Sequence, residues 1–192
     1  MFGKITFSNF MMKNELNQKT IWTIGNSTGT LDVFFEMLYS LHIKTLVDIR
    51  SYPGSRRYPY FNKETLEISL PENDNQYFHL KELGGRRKVT ANSKNMIWRH
   101  LAFRGYADYM ETDEFKEGIV KLETIALQQP PAYMCSEAFW WSCHRSMVSG
   151  YLKVKVWKVM HIMAIGKEEE HPYTAPARIV DGELTYEEEY KE

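Results

Sequence analysis

"TIWTIG" (residues 20–25) and "KTLVDIR" (44–50), joined by "NSTGTLDVFFEMLYSLHI" (26–43), decide how this chain folds. The two outer runs are short and apolar and the first closes on Gly25, so each reads as a buried strand. In the middle segment Thr30 is placed to cap a helix, with Asp32 in its first turn. Leu31, Phe34, Phe35 and Leu38 recur at i, i+3, i+4 and i+7, which predicts a helix with one apolar face to about Leu41. Strand, helix and strand within about 30 residues make a βαβ unit, and such a unit implies a parallel pair.

The same pattern continues outward. "SYPGSRRYPYFN" (51–62) is a loop, residues 62–70 predict a short helix, and "NQYFHL" (75–80) a third strand. A long loop runs through "KELGGRRK" (81–88) to about residue 97. Residues 98–110 and 113–127 predict helices, the second with Phe115, Ile119, Leu122 and Ile125/Ala126 as its buried stripe, stopped by "QQPP". "AYMCS" (132–136) is another strand, Ser142 is placed to cap a helix from Cys143 to about Val154, and "VMHIMAI" (159–165) reads as the last parallel strand. In "ARIVDGELTYEE" an Asp-Gly turn between alternating residues predicts a terminal hairpin. The expected fold is therefore α/β: a flexible leader over residues 1–18, then one domain over 19–192 whose mainly parallel sheet is flanked by helices in a Rossmann-like manner, with a short C-terminal hairpin.

Composition narrows the function classes. The chain has 192 residues, enough for a sizeable core without disulfides. Formal net charge is -1, so whole-chain charge gives no argument for nucleic acid or an acidic membrane. Charge is uneven, however: "GKEEEHP" and "DGELTYEEEYKE" are acidic, while arginines gather at 50, 56, 57, 86, 87, 99 and 104. No apolar run approaches the roughly 20 residues of a membrane span. The N-terminus has no secretory pattern, and there are two cysteines, so a reducing, cytoplasmic setting is expected.

Both cysteines fall in "YMCSEAFWWSCHRSMVSGYL" (133–152). In a parallel sheet, ligands collect at the strand carboxyl ends, where Cys135 and Glu137 would sit. A helix beginning at Cys143 would put Cys143, His144 and Arg145 in its first turn, a place that attracts anions and lowers a thiol pKa. Arg145 would add a guanidinium donor. Four readings stay open: an anionic-substrate site in which a thiol, Glu137 or His144 does the chemistry; a buried structural cysteine; a metal site of Cys135, Cys143, His144 and Glu137; and a redox pair. The ligand types suit zinc, but the seven-residue gap followed by adjacent Cys-His matches no usual C-x2-4-C spacing, so no metal and no cofactor is expected. Elsewhere, "GNSTG" (25–29) resembles a phosphate-cradling turn without a full motif. Asp48 and Arg50 stand at a strand end. Arg56 and Arg57 beside Tyr58, Tyr60 and Phe61 could grip phosphates and stack bases, as could "GGRRK" (84–88). A C-x5-R thiol-enzyme loop is absent, since residue 141 is Trp. His42, His100 and His161 read as structural.

Together, "TIGNS", "LVDIRSYPGSRRYPYFN", "HLKELGG", "YADYM", "CSEAFWWSCHR" and "VMHI" resemble the domain-of-unknown-function 488 family, over about residues 20–165. The resemblance implies an α/β fold and leaves the reaction open. Its motif positions here include Ser27, Asp48, Arg50, Ser51, Ser55, Arg56, Gly84, Gly85, Cys135, Glu137, Cys143, His144 and Arg145. Where the family usually reads "TIGHS", this chain has Asn26, which keeps a hydrogen-bonding side chain but no proton carrier. The leading expectation is an enzyme that binds a small phosphate-bearing or nucleotide-like ligand at the strand carboxyl ends. Asn26, Ser27, Arg50, Ser55, Arg56 and Arg145 would bind the anion; Asp48, Cys135, Glu137, Cys143 and His144 would supply the chemistry. The alternative is a nucleic-acid-binding module using loop 50–61 and the basic stretch 84–88. Neither reading names a membrane partner or an oligomeric state.

Overall fold

The computed structural model describes residues 19–26 and 29–188; the expected leader and Ser27 lie outside them. Along the chain run β1 (Thr20–Gly25), α1 (Leu31–Ser40), β2 (Thr45–Asp48), α2 (Lys63–Glu72), β3 (Gln76–His79), α3 (Leu101–Met110), α4 (Asp113–Ala126), β4 (Pro131–Cys135), α5 (Arg145–Val154) and β5 (Lys158–Ala164). Three short strands follow: β6 (Lys167–Glu170), β7 (Arg178–Val180) and β8 (Glu183–Thr185). Thr30 caps α1 by accepting the Val33 N–H, and Thr112 caps α4 by accepting that of Phe115.

The sheet has the order β3-β2-β4-β1-β5-β6, with β1 to β5 parallel to one another. Its strands bury alternate residues on opposite faces, as a two-residue period requires. Ile21, Val47 and Tyr133 join one core with Tyr106, Phe115, Leu122 and Met147 of α3, α4 and α5. Ile24, Leu46 and Met134 join the other with Phe34, Leu38, Leu66 and Leu70 of α1 and α2. Each such Leu or Phe contributes roughly 1.5–3 kcal/mol by leaving water. The helices after β1 and β2 thus cover one face, and those after β3 and β4 the other. β4 lies between β2 and β1, so the chain leaving it turns away from the chain leaving both neighbours. This reversal opens a crevice over the carboxyl end of β4, where doubly wound sheets bind ligands.

The fold is the expected α/β sheet, mainly parallel, and the terminal hairpin is β7–β8. Two details differ. A further strand, β6, pairs antiparallel with β5 at the sheet edge. Its sequence, Lys167–Glu170, is exposed and charged at every position, which hides it from an apolar-pattern reading but suits an edge that must not recruit another strand. The second difference is the start of α5, at Arg145 rather than Cys143. Residues Trp140–Ser142 form a separate tight turn, after which Cys143 is extended (φ -128°, ψ 148°). Ser142 is therefore not the cap.

Candidate functional site

A pocket of about 580 Å³ lies over the end of β4. Three strand ends converge there. Asn26 follows β1 and donates its N–H to the Cys135 carbonyl (3.3 Å), Arg50 follows β2, and Cys135 ends β4. Glu137, Cys143 and His144 join them from the β4–α5 connection, and Ser55 from the loop after β2. Two glycines permit this convergence. A Cβ on Gly25 would lie 2.0 Å from the Glu137 carbonyl oxygen, and one on Gly85 would lie 2.4 Å from His144 Nδ1. Any side chain at either position would push the site apart.

The centre of the site is a trio of donors. Cys135 Sγ is 3.8 Å and Cys143 Sγ 3.6 Å from His144 Nδ1. On the far side of the ring, Nε2 faces the Ile49 carbonyl at 3.3 Å. A carbonyl can only accept, so Nε2 carries a proton, and Nδ1 is the ring nitrogen turned to both sulfurs. Both cysteines are free thiols and buried. Cys135 is held well below the ordinary thiol value, chiefly by the hydrogen bond from Cys143; burial opposes this, and the charge and hydrogen bond of His144 and the charge of Arg145 assist. Cys143 is pushed well above it, first by burial and then by its Cys135 neighbour. This corrects the expectation of a helix-activated Cys143: the residue precedes the first turn of α5 and is only 3% exposed, so desolvation wins.

Two residues expected in the site lie beneath it. Asp48 is fully buried and its carboxylate is engaged on both oxygens, so it is no free acid or base. It accepts from Arg50 Nε (2.9 Å to Oδ1) and Nη2 (2.6 Å to Oδ2), and from the Tyr77 hydroxyl (2.8 Å). Burial and then the Asp48 charge push the Tyr77 phenol upward. Arg50 would be lowered by burial alone, but the Asp48 carboxylate raises it above its ordinary value, so its charge is already paired inside the protein. Arg145 is 1% exposed and does not line the pocket. It donates to Thr23 Oγ1 (2.9 Å) and to the carbonyls of Glu137 (2.7 Å) and Ala138 (3.2 Å). These bonds clamp the β4–α5 connection onto β1, which corrects its reading as an anion donor. Arg56 is exposed and is not part of the pocket wall.

Ser51, named by the family resemblance, and Arg86 of the 84–88 stretch line the pocket. Tyr52, His100, Phe103 and the hydroxyl-bearing Ser136 and Ser142 line it as well, and none of these had been expected there. His100 had read as structural; it is exposed, at the N-terminal end of α3, on the pocket wall. The double glycine and the arginines of 84–88 were the available signal for Arg86. Nothing local announced His100 or Phe103, because they enter from the start of α3, far in sequence from the strand ends. Outside the pocket, His161 is structural as expected: it is buried, stacks on Trp140 (4.4 Å between ring centroids) and bonds His171 (2.9 Å between Nε2 and Nδ1).

Among the described residues no helix is long and apolar enough to cross a membrane. No curated protein and no solved structure gives a significant match to this chain. A family model does match, over residues 30–152, which is more than half of the chain and takes in β2, β4, both cysteines and the start of α5. The chain belongs to the family described as Domain of unknown function DUF488.

Proposed function

We propose that the protein is an enzyme that binds a small phosphate-bearing or nucleotide-like ligand over the end of β4 and acts on it with Cys135 as nucleophile. The observation that carries this reading is the Cys135–His144 pair at the wall of a ligand-sized pocket. About 580 Å³ falls within the roughly 300–1,000 Å³ of small-molecule sites. Its wall mixes ring surfaces (Tyr52, Tyr58, Phe103) with hydroxyls (Ser51, Ser55, Ser136, Ser142) and the Arg86 guanidinium, a combination suited to a ring carrying an anionic group. In the proposed reaction the Cys135 proton passes to His144 Nδ1, the thiolate attacks an electrophilic centre of the ligand, and the imidazolium returns the proton to the leaving group. Asn26 beside Cys135 serves as a hydrogen-bond donor, not as a proton carrier.

The test is a thermal-shift screen of nucleotides and sugar phosphates in the presence of a chelator, followed by turnover of whichever compound raises the midpoint. Cys135→Ser is expected to keep the shift and lose turnover by at least about a hundredfold. No shift from any member of the panel, or unchanged turnover in Cys135→Ser, sinks the reading.

A second reading, nucleic-acid binding, draws on exposed aromatic rings. Tyr52 is 67% exposed, with Arg86 5.6 Å from its ring, and Phe139 stacks on Trp141 at 4.8 Å with both half exposed. Stacking surfaces beside arginines suit unpaired bases. Affinity for single-stranded oligonucleotides that falls steeply with salt supports this reading; salt-insensitive or absent binding rejects it.

A further inference from the structure

We infer that Cys135, Cys143 and His144 form a binding site for a thiophilic divalent cation, Zn²⁺, with one coordination position open to the pocket. This goes beyond the proposed activity and does not depend on the identity of its ligand. The two sulfurs and Nδ1 all lie within 4.8 Å of one another. Zinc bonds of about 2.3 Å to sulfur and about 2.0–2.1 Å to imidazole nitrogen, at tetrahedral angles, put S and N about 3.6 Å apart. The observed sulfur–nitrogen separations are 3.8 Å and 3.6 Å, close to that value.

The surroundings are those of a ligating set. His144 Nε2 is turned to the Ile49 carbonyl at 3.3 Å, which fixes the ring and leaves Nδ1 as the donor. Metal-bound histidines are held by this kind of outer hydrogen bond. The Arg145 backbone N–H points at Cys143 Sγ (3.5 Å), and Ser136 Oγ lies 3.9 Å from Cys135 Sγ. Arg145 itself, buried and with no carboxylate partner among the described residues, places a positive charge that two thiolates would answer. Thiolate donors select zinc-like ions over magnesium and calcium.

The usual C-x2-4-C spacing belongs to a local loop that holds its own ligands. Here β4 supplies one sulfur and the two residues just before α5 supply the other two donors, after the Trp140–Ser142 turn has folded the chain back. Among the described residues no fourth His, Cys, Asp or Glu completes the cluster. Closed four-ligand sites are structural; a site of two sulfurs and one nitrogen leaves room for water or a ligand atom. A cation there would also occupy the sulfur that the proposed reaction uses, so the metal-loaded and thiol-reactive forms exclude each other.

The experiment uses the full chain, reduced and stripped with chelator, and no organic ligand. Added Co²⁺ should give thiolate-to-cobalt charge-transfer absorption saturating at one ion per chain, reversed by Zn²⁺ and not produced by competition-resistant sites elsewhere. Zn²⁺, but not Mg²⁺, should protect both thiols from iodoacetamide. Cys135→Ser and Cys143→Ser should each weaken binding at least tenfold, and His144→Ala should weaken it while keeping sulfur charge transfer. Wild-type protein with no charge-transfer band at stoichiometric Co²⁺, or with alkylation unaffected by Zn²⁺, overturns the inference even if a variant fails to fold. Folded cysteine variants that bind as tightly as wild type overturn it as well. The ligand screen is run with chelator, so failure of one claim leaves the other standing.

Discussion

Two arginines separate what a residue type offers from what its surroundings allow. Arg50 and Arg145 both follow strands that end at the pocket, yet one meets a carboxylate and the other meets carbonyls and a hydroxyl. The Asp48–Arg50 pair is buried on both sides, at 0% and 6% exposure. Removing one partner of such a pair strands a charge, which costs roughly 3–5 kcal/mol, whereas an exposed pair such as Lys63–Glu67 is worth roughly 0.3–0.5 kcal/mol. Asp48→Asn is therefore expected to lower stability by about 3–5 kcal/mol, and the double variant Asp48→Leu/Arg50→Met to recover most of the loss. Urea midpoints at constant m-value measure both. A double variant no better than the single one would show that the stranded charge is not the source of the loss.

Elements end where local chemistry lets them, and one ending here is strained. Val156, between α5 and β5, has φ 67° and is 77% exposed. The left-handed region costs a side-chain-bearing residue roughly 1–2 kcal/mol, and a β-branched one sits there least well. Glycine removes that cost and loses roughly 0.5–1 kcal/mol through unfolded-state entropy. With no burial to lose, Val156→Gly is expected to raise the thermal midpoint, by about 1 kcal/mol in stability; a lower midpoint would contradict the strain.

The loop before α3 is pinned from within that helix. Asp108 accepts from Thr90 N (2.8 Å) and Oγ1 (3.1 Å), Ser93 Oγ (2.6 Å) and Asn95 Nδ2 (2.9 Å). Burial alone would raise this carboxyl, but those donors hold it below the usual range. Asp108→Ala should cost about 2–3 kcal/mol and make the 88–99 segment the first site of limited proteolysis. Cleavage elsewhere first, at wild-type rate in this loop, would count against the pin.

At the scale of the whole molecule, the histidine pair ties the far edge of the sheet to the site connection. His161 on β5 meets His171 beyond β6, and Trp140 of the β4–α5 connection packs on both. Burial holds both imidazoles well below their ordinary value, with His171 at about 4 and His161 lower; the His171 charge also acts on His161, and Lys153 on His171. The unfolded chain, titrating near 6.5, then binds more protons than the folded one as pH falls. Stability is accordingly full above pH 6.5 and is lost as pH drops towards 4, by about 3 kcal/mol for the pair between pH 6.5 and 5. Urea denaturation at pH 7.5, 6 and 5 reads this slope before most carboxylates titrate. His161→Leu/His171→Phe should flatten it; an equal slope in that variant would assign the pH dependence to other groups.

The chain's own pattern determined the alternation of strands and helices, the Thr30 cap, the terminal hairpin and the family. These are legible because period, capping and turn chemistry act between residues only a few positions apart. Strand order is not written that way. Only the tertiary structure places β4 between β2 and β1, and so Cys135 beside Asn26 and under His144. It turns Arg145 inward, buries Asp48, adds His100 and Phe103 to the wall, and brings a sulfur eight positions before Cys143 into reach of the same imidazole nitrogen. An apolar run reports that a strand is buried; which strands lie beside it depends on how separate helices divide the two faces of the sheet, and no segment of the sequence carries that information alone.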